Sequence, residues 1–197
     1  VIRLLAAAMQ EIQIGDPLLL ASDVGPLIEQ DAARSLQPHV ARLQREARLL
    51  QRIDPPQNLQ AGCFFPIQAF ELASLAVLEK EVFGPVLHVV RYRADKLERV
   101  IDAVNNTGYG LTLGVHSRIE ETWLRVQARA RVGNLYINRN MIGAVVGAQP
   151  FGGEGLSGTG PKAGGPYYLN RFATERTLSV NTAAVGGNTG LLSLPED

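Results

Sequence analysis

The sequence predicts an α/β fold with a mainly parallel open sheet and helices on both of its faces. Three short apolar runs rich in β-branched residues, at 86–92, 111–116 and 134–138, have the pattern of buried strands. Apolar residues at helical spacing, at 97–104 and 123–130, separate these runs. Strands that alternate with helices are typical of βαβ crossovers, which place ligands at the carboxyl ends of the strands.

Further elements are predicted on either side of this core. Apolar spacing predicts a helix over residues 2–12 and a second one over 36–50, which Asp54-Pro55-Pro56 ends. Residues 177–182 are predicted to form a final strand, followed by a turn at 186–188.

Composition limits the possible functions. The chain has 197 residues, 46% of them apolar and 19% charged, with a formal net charge of zero. A neutral chain does not favour nucleic acid or an anionic membrane as its partner. No apolar run approaches the ~18 residues that a transmembrane helix needs. The three histidines, His39, His88 and His116, have no second ligand at metal spacing and are interpreted as structural.

Two segments carry residues suited to chemistry. Residues 149–160 include five glycines and Phe151, a composition that fits a loop where backbone passes close to a ligand or to other backbone. Glu81 precedes Phe83-Gly84-Pro85, where a carboxylate can accept hydrogen bonds from ribose hydroxyls and an aromatic ring can lie against a flat one. The residues alone leave two alternatives open: Glu81 can be a glutamate that caps a turn before a strand, and Gly143-Ala144 can belong to a plain loop.

Taken together, several segments resemble the aldehyde dehydrogenase superfamily. Residues 81–86 match every fixed position of its Glu-x-Phe-Gly-Pro-Val segment, and 109–115 resemble its Tyr-Gly-Leu-x-x-Gly-Val segment. Residues 151–158 match its Phe-Gly-Gly-x-Lys-x-Ser-Gly loop, except that Gly155 stands where many members have lysine. The resemblance covers residues 15–197 and implies an incomplete catalytic domain.

A narrower resemblance concerns the substrate. Residues 138–151 resemble the L-glutamate γ-semialdehyde (Δ1-pyrroline-5-carboxylate) dehydrogenase branch, and 155–166 are similar to its bacterial bifunctional form, proline utilization A. The resemblance implies that backbone N–H groups at Gly143 and Ala144 anchor the α-carboxylate of L-glutamate γ-semialdehyde, and that Phe151 packs against its aliphatic chain. Successive N–H groups in a glycine turn do form anion-binding sites.

The same resemblance implies NAD as the cofactor. It assigns Glu81 to the nicotinamide ribose and Phe83 to the neighbourhood of the nicotinamide ring. The parent protein would oxidise the semialdehyde to L-glutamate in proline catabolism. FAD would belong only to a separate proline dehydrogenase domain of a bifunctional parent.

No catalytic residue is assigned within the chain. Family members use a cysteine thiolate that attacks the aldehyde, and we expect this nucleophile and the nucleotide-binding domain upstream of Val1. The one cysteine, Cys63, is interpreted as a small apolar residue on a strand. The isolated chain, read as a fragment, is therefore expected to be inactive.

Residues 1–176 are assigned to the catalytic domain, and 177–197 to an oligomerisation strand and flap. The resemblance implies a bacterial cytoplasmic homo-oligomer whose parent can associate peripherally with membranes. A non-catalytic folded or assembly module is the alternative function, and a thiol enzyme that uses Cys63 is a third.

Overall fold

The structure of this chain is a computed structural model that describes residues 1–59, 62–145, 147–181 and 184. It is of the predicted α/β class. The helices are α1 (Ile2–Gln10), α2 (Gln30–Glu46), α3 (Leu97–Asn105) and α4 (Glu120–Arg129). The strands are β1 (Arg48–Ile53), β2 (Ile67–Leu72), β3 (Val86–Val90), β4 (Tyr109–Gly110), β5 (Thr112–Val115), β6 (Asn134–Ile137) and β7 (Glu154–Gly155). None of the described helices is long and apolar enough to cross a bilayer.

The first of two compact units contains Val1–Gly108 and Arg125–Ala130. Its sheet has the order β1-β2-β3, in which β1 is antiparallel and β3 parallel to β2. The apolar stripe of α2 packs on this sheet, where Leu43 and Phe70 are completely buried. Burial of these side chains supplies most of the driving force for this packing.

Both predicted boundaries of the second helix are wrong, since α2 begins at Gln30 rather than at residue 36. The apolar spacing predicts that the second helix continues to residue 50, but α2 ends at Glu46 and Ala47 is already extended. Residues of β1 then pair with β2, and Leu50 packs on a second apolar cluster around Ile67. In a helix Ala47 and Leu50 would share one face, whereas in the extended chain Ala47 packs on the cluster of α2 and Leu50 on the second cluster. Pairing of β1 with β2 therefore decides against the helix here.

Strand β2 has no counterpart among the predicted elements. Its Gln68 and Glu71 interrupt the apolar run, although both are largely buried. Glu71 forms ion pairs with Arg48 at 3.5 Å and with Arg91 at 2.5 Å. Charged partners on both sides therefore allow a carboxylate to lie within the central strand.

The second compact unit contains Tyr109–Leu124 and Arg131–Asp197. Strands β5 and β6 pair in parallel and are connected through α4, which confirms the predicted crossover. Strands β4 and β7 form a short antiparallel pair. The described strands therefore form three small sheets rather than one open sheet, because β3 takes β2 as its parallel partner and β5 takes β6.

The predicted C-terminal strand is not present in its described part. Residues 177–181 are exposed and have no regular structure. A strand needs a neighbour to bond its N–H and C=O groups, and no described strand pairs with this segment. Residue 182 and the turn predicted at 186–188 lie outside the described residues.

A histidine pair joins α2 to β3. The Nε2 atoms of His39 and His88 lie 2.9 Å apart, and the two half-buried rings meet edge to face. Burial, with a smaller contribution from the charge of His39, lowers the pKa of His88 to about 4. Burial and the charges of Arg42 and Lys80 also lower the pKa of His39. The pair is therefore a contact between neutral rings.

This pair should make folding sensitive to acid. In the unfolded chain the histidine has a pKa near 6.5. Between pH 6.5 and about 4, this histidine is therefore protonated in the unfolded chain, whereas His88 in the folded chain stays neutral. The free energy of unfolding should therefore fall as the pH is lowered from about 7.5 to about 5, by at most about 2 kcal/mol, because solvent screens a half-exposed ring and reduces the effect. Urea unfolding at about pH 7.5 and about pH 5 measures it. His88→Phe should flatten the dependence, whereas His116→Asn, at an exposed histidine, should not; equal slopes in both variants would contradict the assignment.

Candidate functional site

The loop after β6 begins at the carboxyl end of the parallel pair. Asn138, the first residue after β6, has a φ of 53°, a left-handed conformation that asparagine tolerates better than most residues. Its side-chain amide accepts from the N–H of Ser117 and donates to the Ser117 carbonyl, both at 2.9 Å. These bonds join the ends of the two strands and direct the chain into residues 139–149, as the crossover topology predicts.

Gly143 and Ala144 lie half-buried in this loop, without helix or strand. Within the described residues, neither backbone N–H donates a hydrogen bond. A side chain at Gly143 would meet nothing within 4 Å, and its φ is not left-handed. Two successive donors next to open space can receive a carboxylate.

A turn closes this part of the loop. The side-chain oxygen of Gln149 accepts from the N–H of Val145 at 3.2 Å, and the N–H of Gln149 donates to the Val145 carbonyl at 2.8 Å. Gly147 supplies the positive φ of 80° that the turn requires. The role of Gln149 could not be predicted from the sequence, because it depends on a contact with a residue four positions earlier.

Phe151 is held through its own backbone. Its N–H and carbonyl both bond to Ala163, each at 3.0 Å, in an isolated antiparallel bridge. Phe151 is half-buried, whereas Phe83 is 86% exposed. The backbone of Phe151 is thus more constrained than loop residues usually are.

The glycines of residues 149–160 do serve close backbone approach. A Cβ on Gly133 would overlap the carbonyl of Gly152, and one on Gly153 would lie 2.6 Å from the carbonyl oxygen of Ser157. Gly155 has a φ of 59°, a left-handed conformation in which a lysine would be strained. The Ser157 hydroxyl accepts from the N–H of Gly110 at 3.0 Å, so two motifs of the sequence meet.

Glu81 and Phe83 lie in the other compact unit, on an exposed turn before β3. The N–H of Val86 donates to the carbonyl of Gly84 at 2.8 Å, which tightens the turn. A side chain on Gly84 would overlap buried Leu36 of α2, so glycine lets the turn lie against the core. An exposed carboxylate and an exposed ring on a tight turn fit contacts with a ribose and a nicotinamide.

A shallow cavity of about 430 Å³ lies beside this turn, between α2 and residues 79–82. Its polar lining is of mixed charge. Arg42 on its wall already donates to the carbonyl of Val77 at 3.0 Å and pairs with Glu46. The cavity therefore indicates no single ligand.

Cys63 does not lie on a strand, contrary to the prediction. It is half-buried in a bend before β2, and its carbonyl accepts from the N–H of Leu27 at 2.9 Å. Pro66, which has no N–H for a strand partner, separates this bend from β2. Among the described residues there is also no group of three side chains that could hold a metal ion.

The predicted site residues fall into two groups. Gly143, Ala144 and Phe151 lie in the second compact unit, whereas Glu81 and Phe83 lie in the first.

Comparison with known proteins identifies the family. The family model described as "Aldehyde dehydrogenase family" matches residues 1–178. The chain belongs to this family, as the sequence motifs predict.

Individual relatives are more specific. The chain is 51% identical over 180 residues to the bifunctional protein PutA of Salmonella typhimurium, covering 89% of the chain and 14% of that protein. A crystal structure of a Bradyrhizobium japonicum proline utilization A (PutA) mutant has a TM-score of 0.84 at 57% identity, covering 94% of this chain and 19% of the other. The structure of 1-pyrroline-5-carboxylate dehydrogenase from Thermus with bound NAD has a TM-score of 0.72 at 33% identity, and the match covers 84% of this chain and 32% of the other. The chain thus spans about a seventh of the length of PutA.

Proposed function

We propose that this chain forms part of the aldehyde site of an NAD-dependent dehydrogenase that oxidises L-glutamate γ-semialdehyde to L-glutamate. The observation that carries the proposal is the pair of N–H groups at Gly143 and Ala144, which donate to no described residue. They lie on the same loop system as Phe151, whose backbone is bonded on both sides. The names of the relatives, PutA and 1-pyrroline-5-carboxylate dehydrogenase, support the same substrate.

In this proposal the loop recognises the substrate at two points. The N–H groups of Gly143 and Ala144 bind the α-carboxylate, because successive backbone donors concentrate positive potential without a mobile side chain. The Phe151 ring covers the aliphatic chain and excludes water from it. Two fixed contacts orient the aldehyde carbon toward a nucleophile, which increases the effective concentration of the reacting groups.

Glu81 and Phe83 provide a contact for the cofactor. When bound, NAD supplies the hydride acceptor that the oxidation needs. The carboxylate of Glu81 accepts hydrogen bonds from the ribose hydroxyls, and the exposed ring of Phe83 lies near the nicotinamide. A bacterial cytoplasmic location and assembly of copies through residues 177–197 belong to the same proposal and rest on the family resemblance.

The isolated chain should not oxidise the aldehyde. Its only thiol, Cys63, lies in a bend of the first unit, apart in sequence from the anchor loop. We expect no NADH absorbance when the purified chain is mixed with NAD and glutamate semialdehyde. NADH formation that disappears in Cys63→Ser would instead identify Cys63 as the nucleophile.

Replacement of Glu81 should impair use of NAD. In a chimera in which this chain replaces the matching segment of PutA, Glu81→Ala removes a charged hydrogen-bond acceptor worth about 1.5–3 kcal/mol. The KM for NAD should rise about tenfold or more, or hydride transfer should slow by that factor. Glu79→Ala, the same charge change two residues away, is the control. Unchanged NAD kinetics in Glu81→Ala would exclude the ribose contact.

The anchor loop should decide carboxylate specificity. Because a side chain at Gly143 meets nothing within 4 Å, Gly143→Val should keep the fold and crowd only the bound carboxylate. In the same chimera, kcat/KM for glutamate semialdehyde should fall about tenfold or more, with a small change for pentanal. Ala144→Ser keeps the backbone and should be tolerated. An equal fall in kcat/KM for both aldehydes would show that the loop does not recognise the carboxylate of the substrate.

A further inference from the structure

One side-chain amide contacts both peptide groups that flank Phe151. The Nδ2 of Asn134 donates to the carbonyl of Pro150 at 3.0 Å, and the N–H of Gly152 donates to its Oδ1 at 3.3 Å. The two partners define the orientation of the amide. The N–H and carbonyl of Phe151 itself remain for the bridge to Ala163. The backbone on both sides of Phe151 is therefore bonded to a neighbour.

Asn134 is itself held on a regular element. It is the first residue of β6, its N–H donates to the carbonyl of Leu111 at 3.0 Å, and it pairs with Thr112 of β5. The amine of Lys162, one residue before Ala163, donates to the carbonyl of Gly133. The start of β6 is thus bonded to the loop from two directions, and side chains on such elements locate a site more precisely than a free loop does.

We propose that Asn134 is a positioning residue, which sets the location of the Phe151 ring relative to the carboxylate anchor at Gly143 and Ala144. The inference rests on the proposed function, in which these groups hold the two ends of the substrate. Strand β6 carries Asn134 at its start and leads into the anchor loop at its end. Strand β6 therefore sets the distance between the Phe151 ring and the carboxylate anchor. The site then favours an aldehyde whose carboxylate lies at that distance from its aliphatic chain.

Replacement of Asn134 should lower the selectivity between the two aldehydes by more than a loss of stability can explain. In the PutA chimera, the readout is the ratio of kcat/KM for glutamate semialdehyde to kcat/KM for pentanal. Asn134→Ala removes the bonds to Pro150 and Gly152, together with a longer one from Nδ2 to the Tyr136 hydroxyl at 3.3 Å, and the ratio should fall about tenfold. Asn134→Asp keeps the size and the acceptor for Gly152 but turns the donor toward Pro150 into a second acceptor. It should lower the ratio by a similar factor, whereas a residue that only fills space would tolerate this change.

A matched control separates positioning from stability. Asn105 also donates through its Nδ2 to a backbone carbonyl, that of Arg129 at 2.9 Å, within the first compact unit. Asn105→Ala should lower the melting temperature of the chimera and leave the substrate ratio unchanged. A lower substrate ratio in both Asn134 variants, together with an unchanged substrate ratio in Asn105→Ala, supports the inference.

A second comparison distinguishes failure of this inference from failure of the proposed function. If Phe151→Ala lowers the substrate ratio but neither Asn134 variant does, Asn134 has no positioning role and the proposed function stands. A fall of equal size in Asn105→Ala and Asn134→Ala would also overturn the inference. If Phe151→Ala and Gly143→Val both leave the ratio unchanged, the proposed function itself is overturned, and the inference with it.

Discussion

The close approach of two glycines is the constraint on which the candidate substrate site depends. Gly133, just before β6, lies so near the carbonyl of Gly152 that neither backbone leaves room for a side chain at Gly133. This contact brings the glycine-rich segment to the start of the parallel pair, where the amide of Asn134 and the amine of Lys162 can bond to it. Without it, the segment around Phe151 would keep its bridge to Ala163 but lose its bonds to the start of β6.

An asparagine side chain at each end of β6 forms two hydrogen bonds to backbone groups. At the start, the amide of Asn134 bonds the peptides on either side of Phe151, and at the end the amide of Asn138 bonds both backbone groups of Ser117. Asparagine suits both positions because its side chain offers a donor and an acceptor in one plane. Strand β6 thereby has loop backbone bonded to an asparagine side chain at each of its ends.

Much of the candidate site could be predicted from the sequence. The turn at Glu81 and Phe83 and the glycine-rich segment around Phe151 are recognisable because their chemistry depends on residues adjacent in the chain. The second-helix boundary and strand β2 were not predictable in this way. Leu50 fits a helix or a strand by spacing alone, and Glu71 lies within β2 only because Arg48 and Arg91 reach it from elsewhere.

The sequence by itself determined the α/β class, the crossover from β5 to β6 and the family, since these depend on periodicity and on contiguous motifs. Only the tertiary structure decided the division of the strands among three sheets, the role of Asn134 and the neutral histidine pair. Each of these depends on which distant residues become neighbours. A hydrogen bond between Asn134 and Pro150, or a ring contact between His39 and His88, leaves no pattern in the order of residues.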